Sequence, residues 1–451
     1  MAAETGEMSP ILQLSAVELR ERLAKGALRA VELAEACLEQ IERREPEVQA
    51  WTWLDGDHVM AQAKALDALR AQGRPTGPLH GLPVGLKDVI DTAGIPTENG
   101  TPIDAGRKPA RDAYVTERLK QAGAVIMGKT VTTELAFFAP GKTRNPHNPR
   151  HTPGGSSSGS AAAVAAGMVP LSLGTQTVGS MIRPASFCGI VGYKPTFGAI
   201  PRSGVLEQAA SLDTIGTFAR SVEDVALVSD ALFGYDAGDP ATTTAPAPRL
   251  LEIAASRPPV QPALAFVKHP AWDKASPDVH DAFGELREAL GEICEEVELP
   301  PHFAGAQGLC ELVQKVELAK SFHRYESRGR EQLSERMQAA IDDGRRVLAH
   351  DYLAARDWPR LLNAALDAVF ERFDAIVVPA SAGPAPEGLE TTGDPVFNGI
   401  WTLCGTPAVT LPLLQAHNGL PMGVQLVGRC GDDGRLLRTA RWLAEQMSES
   451  A

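Results

Sequence analysis

The chain has no cysteine pair in C-x-x-C spacing. Its six cysteines, Cys37, Cys188, Cys294, Cys310, Cys404 and Cys430, stand far apart. That argues against a disulfide scaffold or a thiolate metal knuckle, and it reads as reduced thiols in a cytoplasmic protein. Long hydrophobic runs are missing too. The longest weakly polar stretch, 161–173, is alanine-rich, interrupted by Pro170 and too short to span a bilayer. Residues 1–10 carry Glu4 and Glu7 and no apolar core, so no secretory leader is expected. Positive charge is in deficit: 43 Lys and Arg against 56 Asp and Glu give a formal net charge of −13. Nucleic acid and anionic membrane are therefore not expected as main partners. Histidine sets for a metal are lacking. His147 and His151 are four apart, but Pro146, Pro149 and Pro153 deny them a regular helix, and no H-E-x-x-H occurs. A protein without metal or cofactor is expected.

What is there is an ordinary globular composition, 44% hydrophobic and 22% charged in 451 residues, enough for a large core. The N-terminal part reads as helices. Ser15-Ala16-Val17-Glu18 has the form of a capping box, with Gly26 as a stop. Val31, Ala34, Cys37 and Ile41 share one face of a second helix over 31–44. From about residue 80, short apolar runs alternate with helical stretches: strands at 83–90 and 124–128 flank a helix at 113–121. Further strands are expected at 264–267, 294–299, 375–378, 408–411 and 424–427, with 306–372 mainly helical and a last helix over 434–446. The alternation predicts an α/β layered sheet. One domain is expected: a helical part over 1–75, a core over 76–235, a surface connection over 236–262, and a C-terminal part over 263–451 that completes the sheet and pocket. No internal repeat or low-complexity block is present.

Three segments carry chemistry. Lys87 lies in an otherwise apolar run with Val84, Leu86, Val89 and Ile90. Burial disfavours an ammonium, and a neutral lysine can serve as a general base. The bland alternative is a surface lysine paired with Asp88 or Asp91. Ser180 follows Thr177-Val178-Gly179 in a glycine-containing turn, where consecutive amide N–H groups can converge on a developing oxyanion. The bland alternative there is a serine in a structural loop. The run Gly154-Gly155-Ser156-Ser157-Ser158-Gly159-Ser160 lacks the lysine of a phosphate loop, and the alanine-rich helix-forming stretch after it argues against a flexible linker.

These segments resemble the amidase signature family, whose pattern runs Gly-Gly-Ser-Ser-Gly-Gly, then Gly-Thr-Asp-Thr-Gly-Gly-Ser, then Arg and Pro. Gly81, Pro83, Lys87 and Asp88 match the family's lysine motif, and the interval from Ser156 to Ser180 matches the family's. Further matches are Arg144-Asn145-Pro146, Cys188 to Thr196, Ser211-Leu212-Asp213-Thr214-Ile215-Gly216, Gly405-Thr406-Pro407-Ala408 and Gly419 to Gln425. The resemblance spans about residues 12 to 446. It implies a large mixed twisted sheet with helices on both faces. It implies Ser180 as nucleophile, Ser156 as proton relay after a cis peptide bond, and Lys87 as base. The amides of Thr177, Val178, Gly179 and Ser180 would form the oxyanion hole, with Ser157, Gln176 and Arg183 supporting them. A stand-alone amide hydrolase is the reading this favours, acting on an amide, ester or carbamate, with a homodimer as one possible assembly. The alternatives are a subunit of a glutamine-dependent tRNA amidotransferase, and a non-catalytic binding protein on the same fold.

Three departures from the pattern stand out. Gln176 replaces the family's aspartate, Val178 replaces the first glycine of Gly-Gly-Ser, and the arginine falls one place late, as Arg183. The lost carboxylate is expected to remove a partner of the arginine. Valine is strained at positive φ, so Val178 is expected to keep φ negative. Phe137, Phe138, Phe397 and Trp401 are expected in the core or the pocket wall.

Overall fold

The computed structural model describes residues 8–449. Residues 1–7, most of the stretch read as having no leader, lie outside the described residues. Eleven strands form one mixed sheet. They are β1 (Trp51–Leu54), β2 (Pro83–Lys87), β3 (Val125–Thr130), β4 (Leu171–Gln176), β5 (Val191–Lys194), β6 (Thr214–Ala219), β7 (Leu264–Val267), β8 (Cys294–Val297), β9 (Ala375–Pro379), β10 (Ala408–Gln415) and β11 (Pro421–Val427). Their order across the sheet is β1-β3-β2-β4-β6-β5-β10-β11-β9-β7-β8. β2 runs parallel to both β3 and β4, the strands from β4 through β6, β5, β10 and β11 to β9 pair antiparallel, and β9, β7 and β8 are parallel again. Helices cover both faces, so the central strands are buried throughout: every residue of β2, β3 and β4 is buried.

The expected N-terminal signals work as written. Ser15 caps the helix Ala16–Lys25 in a reciprocal box with Glu18, and Gly26 ends it in the left-handed region at φ 72°. The second helix extends further than its apolar face suggested, over Ala30–Val48. The stretch 236–262, expected as a surface connection, includes a short helix, Leu250–Ala255, with Leu250 and Ala254 buried. The glycine/serine run leads directly into the helix Ser158–Ala165, which packs on the sheet. A Cβ on Gly159 would come within 2.3 Å of both Ala50 O and Val131 N, so only glycine permits that approach. Ser160 Oγ donates to Leu173 O at 2.9 Å and ties the helix to β4. Small residues there serve close packing, and the packing fixes where residues 154–157 lie.

Candidate active site

β2 and β4 are neighbouring parallel strands in register Val84↔Leu171, Gly85↔Ser172 and Leu86↔Leu173. Their C-terminal ends therefore bring Lys87 and Thr175 side by side, where open α/β sheets hold ligands. Nζ of Lys87 lies 2.7 Å from Ser156 Oγ and 2.7 Å from Thr175 Oγ1. The side chain is fully buried, and burial lowers its pKa from 10.5 to about 7, opposed by the negative charge of Asp213. Its sequence neighbours do not pair with it. Asp91 forms a two-pronged bridge with Arg107 at 2.8 Å, and the Asp88 carboxylate accepts the Glu98 N–H at 3.2 Å. Asp213 is fixed by Thr177 Oγ1, which donates to it at 2.6 Å, and by the N–H groups of Gln208 and Ala209. Burial raises its pKa to about 6 against those hydrogen bonds and the Arg202 charge.

The Gly155–Ser156 peptide bond is cis. Arg183 Nη2 donates to Gly155 O at 2.7 Å, and Ser156 O accepts the Thr133 N–H at 3.2 Å, so the relay residue is held from both sides. Ser157 Oγ donates to Thr175 O at 3.1 Å and accepts the Thr175 N–H at 3.2 Å, clamping the glycine/serine run to the end of β4.

The loop after β4 is closed by one side chain. Gln176 Oε1 accepts the N–H groups of Met181 at 2.8 Å and Ile182 at 3.1 Å. Its Nε2 donates to Thr402 Oγ1 at 3.0 Å, and Thr402 Oγ1 donates to Val178 O at 2.9 Å. An amide thus accepts like a carboxylate and adds a donor. As expected from the lost carboxylate, Gln176 and Arg183 share no hydrogen bond among the described residues. Arg183 turns away, with Nε donating to Thr392 O at 2.7 Å. Val178 is absent from the left-handed residues, and its side chain belongs to the same buried apolar cluster as Ile182, Leu212 and Trp401. The loop accommodates valine because this backbone has no positive φ at 178. Gly179 is needed for another reason, since a Cβ there would sit 2.4 Å from Asn398 Oδ1. The N–H groups of Thr177, Val178, Gly179 and Ser180 donate to no group among the described residues. Orphan donors of this kind are uncommon in a folded interior. Ser180 Oγ makes no hydrogen bond among the described residues, Ser156 included.

Ser180 opens into a narrow slot of about 10 Å³ lined by Ala136, Phe137, Phe138, Thr177, Val178, Gly179, Arg183, Gln208, Gln314 and Pro395. Through Ala136, Thr177 and Gln208 the slot adjoins a cavity of about 680 Å³ that reaches Thr175 and Asp213. Phe137 and Phe138 are pocket wall, their rings 4.7 Å apart, whereas Phe397 and Trp401 are fully buried core. His147 and His151 sit 2.9 Å and 2.8 Å from the carbonyls of Cys188 and Ala385. Sequence reasoning missed Thr175, Thr392 and Thr402. Asp213 was legible only as part of a matching motif, without a role.

Residues 32–437 match the family described as Amidase. The chain belongs to the amidase family. It is an enzyme of the kind that acts on carbon–nitrogen bonds, as hydrolase or amidotransferase. A curated relative from Symbiobacterium thermophilum, one of the subunits of glutamyl-tRNA(Gln) amidotransferase, is 36% identical over 482 aligned positions, which cover 97% of each chain. Among solved structures, a chain from a vestigial protein complex that reveals the evolutionary origins of an s-triazine catabolic enzyme superposes with a TM-score of 0.89. It is 28% identical, covering 97% of this chain and 99% of that chain. The peptide amidase of Stenotrophomonas maltophilia superposes with a TM-score of 0.80 at 30% identity, covering 97% and 98%. No helix among the described residues is long and apolar enough to cross a membrane.

Proposed function

We propose that Ser180 attacks a substrate carboxamide carbon and that its proton passes through Ser156 to neutral Lys87. The oxyanion rests on the free amides of residues 177–180. Lys87, now an ammonium, returns the proton through Ser156 to the departing nitrogen, and ammonia or an amine leaves. Water then attacks the acyl ester by the same relay and releases a carboxylate. No metal or cofactor is needed for any step. The observation that carries this reading is the buried Lys87 Nζ, 2.7 Å from Ser156 Oγ with its pKa brought down to about 7. In the resting chain Ser156 is not yet hydrogen-bonded to Ser180, and catalytic contacts of this kind commonly tighten only with substrate bound.

Two uses of this chemistry differ in what happens to the nitrogen. The relationship to a glutamyl-tRNA(Gln) amidotransferase component over 97% of both chains favours the amide-cleaving subunit of a glutamine-dependent amidotransferase, in which the released ammonia is passed on. The net charge of −13 fits a subunit that leaves tRNA contact to its partners. The second reading is a stand-alone amidase, with esters, anilides and carbamates within reach. It is favoured by the apolar wall that Phe137, Phe138 and Val178 give the slot beside Ser180 and by the likeness to a peptide amidase. The test is turnover by the purified chain. The subunit reading predicts weak ammonia release from glutamine that rises when partner subunits are added. Vigorous turnover of simple amides by the chain alone, with glutamine a poor substrate, would instead establish the stand-alone reading.

A further inference from the structure

The slot at Ser180 holds about 10 Å³, room for about one water. No carboxamide enters it until a wall moves. Much of its lining is tied down: Gln176 and Thr402 fix the oxyanion loop, and Arg183 is held by Gly155 O and Thr392 O. The wall that carries Phe137 and Phe138 is different. It begins with two consecutive non-glycine residues in the left-handed region, Leu135 at φ 47° and Ala136 at φ 58°. Such conformations cost free energy and persist only where the surroundings hold them. On the carbonyl side the holding group is one amide. Gln208 Nε2 donates to Leu135 O at 3.3 Å and to Ala136 O at 2.9 Å. Its Oε1 accepts from Gln314 Nε2 at 2.7 Å, which fixes the way the amide faces. Both glutamines are buried, and both line the slot. Ala136 and Gln208 also line the cavity of about 680 Å³, so the wall has space behind it.

We propose that Gln208 is a positioning residue that sets the aperture of this slot, so that the site selects amides by the shape of the acyl group, taking a straight chain over one branched or aromatic next to the carbonyl. The inference rests on the reading of Ser180 as nucleophile. With both side-chain N–H bonds of Gln208 spent on the carbonyls of Leu135 and Ala136, the Phe137–Phe138 wall stays close to Ser180. A straight chain presents one methylene there and displaces the wall least. A branch or a ring pushes the wall further and breaks one of those hydrogen bonds, which leaves a buried acceptor unpaired. The backbone of Gln208 does separate work. Its N–H donates at 2.7 Å to Asp213, the carboxylate whose charge acts on Lys87. A change of the Gln208 side chain therefore alters the wall while the main-chain bond to Asp213 remains.

The test compares kcat/KM for butyramide, isobutyramide and benzamide in the wild type, Gln208→Met and Gln314→Met. Methionine is close to glutamine in length and makes none of its hydrogen bonds. The wild type should favour butyramide over the other two by about tenfold or more. In Gln208→Met that preference should fall by at least about fivefold, through a lower KM for the branched and aromatic amides, with the pH limb of kcat/KM where it was. Gln314→Met leaves the Gln208 donor in place but unoriented. It should move the ratio the same way by less, and it carries the test if Gln208→Met does not fold. A wild type with no preference, or folded variants that slow all three amides alike as a merely structural loss does, overturns the Gln208 assignment and leaves the Ser180 chemistry intact. A shifted pH limb with an unchanged preference also overturns it, because the side chain then acts on Asp213 and not on the wall. Turnover of glutamine with none of the three amides overturns it as well. Turnover of no amide at all by a folded wild type, with or without partner subunits, removes the Ser180 reading and this inference with it.

Discussion

Nζ of Lys87 and Oγ of Ser156 stand 2.7 Å apart inside the protein, although 69 residues separate them in the chain. The contact exists because β2 ends beside β4 and because the helix that follows Ser157 is built of residues small enough to lie on the sheet. The proposed base is therefore placed by strand register and the proposed relay by close helix packing.

The pH profile follows from that placement. Only the neutral amine accepts a proton, so kcat/KM should rise with pH and level off above about 7, the value to which burial brings Lys87. Lys87→Met should abolish the limb and lower kcat/KM by at least about a hundredfold. The Asp213 charge holds the Lys87 pKa up, so Asp213→Asn should move the limb to lower pH. Initial rates from pH 5 to 10 measure both, and a limb that moves up in Asp213→Asn contradicts the assigned charge.

The same shift has a sign for stability. Between about pH 7 and 10.5 the unfolded chain holds a proton on Lys87 that the folded chain has lost, so this residue makes the fold more stable as pH rises through that window. Below about 7 the ammonium is buried and the penalty is complete. Urea titrations should find Lys87→Met gaining most over the wild type below pH 7, with the gain shrinking towards pH 10.5. A pH-independent difference would mean that the lysine is not desolvated.

Thr402 is predicted to act on the oxyanion loop from a distance. It links Gln176 to Val178 O, and removing its hydroxyl frees the loop while leaving Ser180 and Lys87 untouched. Loss of one oxyanion donor costs about a hundredfold or more in kcat, and loosening a support should cost less, about tenfold. Thr402→Val should therefore lower kcat with little change in KM, and Thr402→Ser should restore it. A rise in KM alone would place Thr402 in binding instead.

Val178→Gly tests the other departure in that loop. The valine has no positive φ to relieve, so kcat should stay within about tenfold. The buried side chain is lost from its cluster and backbone freedom is added, so stability should fall by about 2–4 kcal/mol. Paired assays on a small and a bulky amide read the first and urea midpoints the second. A gain of several orders of magnitude on both substrates would mean that valine impairs the oxyanion hole.

Much of this fold was legible because its signals are local. Ser15 with Glu18 announced a helix start, and the strand Leu264–Val267 was bounded to the residue by its apolar run. Lys87 stood out as one charge in such a run. Thr402 carried no signal: it is a threonine between Trp401 and Leu403 in a short buried helix, and its partners are 226 and 224 positions away. The loss of a partner for Arg183 at position 176 was legible, but the partners it takes instead were not. Sequence spacing shows which residues are near in the chain, whereas the partners of Arg183 come from Gly155 and Thr392.

The central claim is that Ser180, relayed through Ser156 to Lys87, is the nucleophile. Incubation with a fluorophosphonate, followed by peptide mass mapping of the wild type and Ser180→Ala, tests it most directly. The account predicts one added label on Ser180, absent from Ser180→Ala and formed more slowly below pH 7. A label on Ser156 or Cys188, or one that persists in Ser180→Ala, would contradict it.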